Sequence, residues 1–167
     1  MRQNSSLFNY LTKESIMSKI QKVLLTGKTH TTSADGRVIA GDHEGNLNID
    51  LSVPGNSAAP AYTFEAVAPH PTAEQLFAGA WSACYIAAVG IVAKEKKVTL
   101  PGDTAVEIEV DLGLGGGAYF IQGRINLVVP GLDHALATEI AHAADAICPY
   151  SKATRGNIDV TLSVTTV

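Results

Sequence analysis

The run from Leu76 to Ala93, LFAGAWSACYIAAVGIVA, carries no charged residue over eighteen positions. It constrains the fold more than any other stretch, because a helix that is apolar on every side must lie inside a core or a membrane. A helix is expected from Thr72 to Lys94. Thr72 followed three residues later by Gln75 is a capping-box pattern, and small and aliphatic residues fill most positions from Leu76 to Ala93. Eighteen residues just reach the length of a membrane span. Much of the run, however, is Ala and Gly, there is no second such run, and the residues beyond it read as amphipathic strands. The balance favours a buried central helix, covered by sheet or by a second copy of itself, with no membrane partner.

The rest of the chain supplies the sheet. Lys22 to Thr32 is rich in Val, Leu and Thr, Ser33 to Gly36 is turn chemistry, and Arg37 to Ala40 reads as a short second strand. Leu47, Ile49 and Leu51 alternate with Asn48 and Asp50 in a half-buried strand over 47–53. These three are expected to form an antiparallel meander. Pro54 to Pro71 holds four prolines and reads mostly as loop. Val106, Ile108 and Val110 alternate with Glu107, Glu109 and Asp111, and the glycines of 113–117 turn the chain into a returning strand over 118–129. Asp133 should cap a second helix over 134–147, ended by Pro149, and 157–167 closes as a strand. Three strands, helix, two strands, helix, strand is an α+β order.

A chain of 167 residues is one-domain length. Residues 1–16 look unlike the rest and are expected to be a disordered or loosely attached leader, leaving 17–167 as a single domain. A net charge of −4 lacks the basic footprint of a nucleic-acid binder. His30, His43, His70, His134 and His142 show no ligand spacing, so no metal site is expected. Residues 1–16 also lack an apolar signal core, and the expected compartment is the cytoplasm, where spare cysteines tend to be catalytic. The two cysteines, Cys84 in mid-helix and Cys148 where the second helix stops, form no C-x-x-C pair. On spacing alone, two inert buried thiols is the plainer reading.

The residues around them change that reading. AEQLFAGAWSACYIAA (73–88) and ICPYSKATRGNIDV (147–160) together resemble the organic hydroperoxide resistance (Ohr) branch of the Ohr/OsmC family of thiol peroxidases, from about Lys22 to Val167. Members carry a PEQLFAAGYAACF-like helix and a VCPYSNATRGNIDV-like segment. The CPYS stretch separates this branch from its OsmC relatives, and the separation of 64 residues between the thiols matches it. The resemblance implies antiparallel sheets packed around a buried central helix in an intertwined homodimer. It implies a peroxidase that reduces organic hydroperoxides to alcohols, with Cys84 as the peroxidatic thiol, Cys148 as the resolving thiol, and no bound cofactor. Lipoamide or a lipoylated protein is the reductant it implies.

A buried thiol is poorly ionised at neutral pH and needs a cation beside it. The family supplies an arginine from the N-terminal turn, oriented by the glutamate of its EQLF motif. Those positions fall on Arg37, the only arginine in this region, and on Glu74, although the turn SADGR is shifted by one or two residues from the family's GGRDG-like pattern. Ten residues of helix place Glu74 roughly 15 Å along the axis from Cys84, too far for one helix to serve both. Two helices crossing antiparallel would bring Glu74 of one chain near Cys84 of the other, which again points to a homodimer. Phe77, Trp81 and Tyr85 lie at helical spacing around Cys84 and read equally as core packing or as the lining of an apolar substrate pocket. Trp81 and Tyr85 stand where the family usually has Tyr and Phe. Two other readings keep the fold: an OsmC-type peroxidase of broader substrate range, and a non-catalytic redox sensor or binding module that uses the disulfide as a switch.

Overall fold

The computed structural model describes residues 19–33, 46–51, 62–67 and 72–167. Six strands form one sheet in the order β2-β3-β1-β4-β5-β6. They are β1 (Lys22–Ser33), β2 (Asn46–Leu51), β3 (Tyr62–Val67), β4 (Ala105–Gly115), β5 (Ala118–Val128) and β6 (Asp159–Thr165). Helices α1 (Ala73–Glu95), α2 (His134–Ile147) and α3 (Pro149–Thr154) make up the rest of the α+β structure among the described residues. The tight β4–β5 hairpin turns at Gly116 and Gly117, whose φ of 57° and 82° lie where only glycine sits without strain.

Period-two alternation sorts the sheet into two faces. Val106, Ile108 and Val110 of β4, with Ile125 and Leu127 of β5, are fully buried beneath the helices. On the opposite face Arg124 donates to Glu109 and Asp111, and Asp111 also accepts from Thr26 at 2.5 Å and Gln122 at 2.7 Å. That carboxylate is only 2% exposed although it lies on the outer face. The Arg124 guanidinium is the main cause that holds its pKa at about 2, with Thr26 and Gln122 assisting against burial.

Helix α1 packs across β1 and β4, with α2 against it. Its capping box is complete: Thr72 Oγ1 accepts from the Gln75 N–H, and Gln75 Oε1 accepts from the Thr72 N–H. Its first turn touches β1 at Gly27, where a Cβ would come within 2.6 Å of the Gln75 backbone nitrogen. The buried hydroxyls of Thr31 and Ser82, 2.6 Å apart, pin the same strand and helix together further along. The face of α1 left uncovered by the described residues is itself apolar. Leu76, Phe77, Ala80, Cys84, Ala87 and Ile91 follow the helical period along it, and Leu76 and Ile91 are 45% and 53% exposed.

Several expectations need correcting. The stretch read mostly as loop contains β3, which hydrogen-bonds β2 from Asn46↔Val67 to Leu51↔Tyr62. The expected meander is absent from the described ladders, because β1 pairs with β3 and β4 while β2 lies at the edge. The sheet is mixed rather than wholly antiparallel: β6 returns after α2 and α3 and runs parallel to β5. Pro149 does not simply end a helix, since it also opens α3 at its first position, where its missing N–H costs nothing. The expected strand at 37–40 and the leader 1–16 lie outside the described residues.

Candidate active site

The site is built where α1 meets the α2–α3 junction. Cys148 serves at once as C-cap of α2 and N-cap of α3, with φ −59° and ψ 122°, outside helical geometry. Its N–H still donates to the Ala144 carbonyl at 2.9 Å, so the break turns the chain without stranding that donor. This turn aims the fully buried Cys148 side chain at mid-helix α1. Its thiol donates to Cys84 Sγ at 3.3 Å, and both cysteines are free. Sixty-four residues of chain therefore close to sulfur–sulfur contact.

Burial pushes the Cys84 thiol above its ordinary pKa, and the adjacent Cys148 pushes it further. A backbone hydrogen bond from Tyr150 pulls it partly back. The described groups thus leave Cys84 short of a cation. Cys84 is nevertheless partly exposed, on the apolar face of α1 that the described residues leave open, while Cys148 is sealed behind it. A reagent from solvent meets Cys84 first.

Glu74 is half-buried in the first turn of α1, on the same helix as Cys84 but roughly 15 Å along it, so this chain alone does not bring the two together. Arg37 lies outside the described residues. Trp81 and Tyr85 are fully buried, and their polar tips are satisfied inside the chain. Trp81 Nε1 donates to Ser151 Oγ at 3.1 Å, and the Tyr85 hydroxyl donates to the Ala141 carbonyl at 2.7 Å. Burial pushes the Tyr85 phenol well above its usual range. The Trp81 ring lies over Gly123 of β5, where an added Cβ would stand 3.0 Å from it. Phe77 meets Trp81 edge-on, ring centroids 5.8 Å apart, and stays partly open. Sequence reasoning did not single out Ser151 or the Tyr150 N–H. The signal for Ser151 is its spacing: it lies three residues after Cys148, as Trp81 lies three before Cys84. Among the described residues no group of three or more His, Cys, Asp and Glu is placed to hold a metal ion.

Comparison with known proteins places this arrangement. A family model described as OsmC-like protein matches residues 66–163. The chain is 36% identical over 149 residues to an organic hydroperoxide resistance protein of Xanthomonas axonopodis pv. citri, covering 89% of this chain and 99% of that one. The crystal structure of the organic hydroperoxide resistance protein OhrB of Bacillus subtilis superposes with a TM-score of 0.54 at 31% identity, over 72% of this chain and 97% of that one. An organic hydroperoxide resistance protein from Elizabethkingia anophelis gives 0.55 at 26% identity, over 89% and 100%. With its two thiols in contact on the shared fold, this chain belongs to the Ohr/OsmC family.

Proposed function

We propose that this chain is a cysteine-based peroxidase that reduces organic hydroperoxides to alcohols and is reset by a lipoyl dithiol. The observation that carries the reading is the 3.3 Å contact between a partly exposed Cys84 and a buried Cys148. The names of its relatives, organic hydroperoxide resistance proteins, supply the substrate class.

The Cys84 thiolate attacks the terminal oxygen of ROOH. The O–O bond breaks, the alkoxide leaves and takes a proton as ROH, and Cys84 becomes a sulfenic acid. The Cys148 sulfur then attacks Cys84 Sγ, forming the disulfide and releasing the oxygen as water. Dihydrolipoamide, or a lipoylated protein, reopens the bridge by thiol–disulfide exchange and leaves as the cyclic disulfide. Because burial and Cys148 both raise the Cys84 pKa, the first step calls for a cation, a role we assign to Arg37 oriented by Glu74.

The apolar face of α1 that the described residues leave open supports a homodimer, with a second copy laid over exposed Leu76 and Ile91 and partly open Phe77. Antiparallel crossing would set the partner's helix start, and so its glutamate, near Cys84. Mixing Arg37→Ala with Cys84→Ser subunits tests the shared site: activity returns in the mixture if each site draws on both chains, and an unchanged rate sinks that arrangement. The proposal places the enzyme in the cytoplasm.

The primary test is consumption of cumene or tert-butyl hydroperoxide with dihydrolipoamide, using wild type, Cys84→Ser and Cys148→Ser. Wild type should complete many turnovers. Cys84→Ser should complete none, and Cys148→Ser should stop after about one, with Cys84 over-oxidised. A wild type that oxidises once per molecule and does not cycle would refute the peroxidase and favour a redox sensor.

A further inference from the structure

The sulfur–sulfur contact depends on how the α2–α3 junction is held against α1; within the junction itself, Arg155 donates to the Asp145 carbonyl at 2.9 Å and carboxylate at 2.7 Å across the break. Cys148 sits at a break between two helices, and no side chain caps the start of α3. Beside the apolar packing of α2 on α1 and the Lys96–Glu139 ion pair near the end of α1, two buried hydrogen bonds on either side of the thiols fasten the segment carrying Cys148 to the helix carrying Cys84. Trp81, three residues before Cys84, donates to Ser151, three residues after Cys148, at 3.1 Å. The two pairs, 84 with 148 and 81 with 151, run in opposite chain order and in matching register. Tyr85, immediately after Cys84, donates to the Ala141 carbonyl at 2.7 Å, upstream of Cys148. Trp81, Tyr85 and Ala141 are wholly buried and Ser151 is 3% exposed, so water does not compete for these bonds.

We propose that Trp81, Ser151 and Tyr85 are positioning residues for disulfide formation: they hold the Cys148 turn against α1 so that Cys148 meets the Cys84 sulfenic acid before a second hydroperoxide does. The assignment rests on the peroxidase reading above. The chemistry is a partition at one atom. Cys148 sulfur attacks Cys84 Sγ, the S–O bond breaks, and the oxygen departs as water with the thiol proton. In competition, a second ROOH transfers its terminal oxygen to the same sulfur, giving sulfinic acid and ROH. Loosening the turn slows only the first branch. The polar part of this hold belongs to the residues of this chain, since a phenylalanine at position 85 would have no hydroxyl to donate.

The test monitors reduced wild type, Ser151→Ala, Trp81→Phe and the double variant after addition of cumene hydroperoxide. Intact mass and dimedone trapping count sulfenic, disulfide and sulfinic forms, and alcohol release times the first oxidation. Ser151→Ala should release alcohol at the wild-type rate, form the disulfide about fivefold more slowly, and raise the sulfinic-to-disulfide ratio about fivefold, the weight of one buried hydrogen bond. Trp81→Phe should shift the ratio similarly, and the double variant should be no worse than either single one, because they share one bond. Tyr85→Phe should move the ratio in the same direction. Wild-type partitioning in Ser151→Ala, or additive effects in the double variant, would overturn the assignment while leaving the peroxidase intact. A wild type that forms no disulfide would remove the peroxidase reading, and this assignment with it.

Discussion

A contact sensitive to a single carbon atom lies between β1 and the first turn of α1. At Gly27 an added Cβ would sit 2.6 Å from the Gln75 nitrogen, 2.7 Å from the Glu74 carbonyl carbon and 2.8 Å from the Glu74 Cβ. Two of these neighbours are backbone atoms inside a completed capping box, so no flexible side-chain tip can swing aside. Ordinary contact requires the strand and helix to part by roughly 1 Å. They are also tied by the Thr31–Ser82 hydroxyl contact, so parting strains a second buried bond. Gly27→Ala should therefore cost about 2–3 kcal/mol, the upper part of the range for overpacking. For a chain of this size that lowers the melting temperature by about 4–12 °C. Urea unfolding followed by circular dichroism measures it, with an unchanged slope showing that the same surface is exposed. The displaced turn carries Glu74, so peroxide turnover should fall as well. A stability change under 0.5 kcal/mol would refute the close approach of β1 to α1.

Two further perturbations probe charge. Arg124→Ala leaves Asp111 buried with Thr26 and Gln122 as its partners among the described residues and should cost about 2 kcal/mol at neutral pH by chemical denaturation. In wild type the folded pKa of Asp111 lies below its unfolded value, so its contribution is complete above about pH 4 and disappears as pH falls through about 2. Arg124→Ala should flatten that acid limb, and an unaltered limb would show that the pair does not couple. For Cys84, burial and Cys148 both raise the pKa. The thiolate of Arg37→Ala should accordingly populate only as pH rises above neutrality, and its oxidation rate should climb along an alkaline limb displaced from that of wild type. Superimposable rate profiles would rule out Arg37 as the activating cation.

The elements legible in the sequence are those whose pattern is local. The Thr72–Gln75 capping box, the alternation of 105–111 and the Asp133 cap each encode their structure within a few residues, and all three appear where expected. Strand β3 was hidden because prolines surround it and its hydrogen bonds go to β2 and β1, not to neighbours in sequence. The parallel β5–β6 pairing was equally hidden, since the crossover through α2 and α3 leaves no local signature.

The candidate site divides in the same way. That Cys84 and Cys148 belong together was legible from their flanking segments, because family motifs persist as contiguous residues. Whether Trp81 and Tyr85 pack the core or line an opening was not legible, since helical spacing is identical for both. The tertiary structure decided it for this chain's own surroundings: Gly123 leaves room for the indole, and Ser151 and Ala141 stand where the two polar tips end. The sequence alone determined the helix, its N-terminal capping box, the two cysteines that belong together and the family. Only folding could decide which thiol solvent reaches and what holds the other beside it, because burial and hydrogen-bond partners far apart in the chain exist only once the elements have packed.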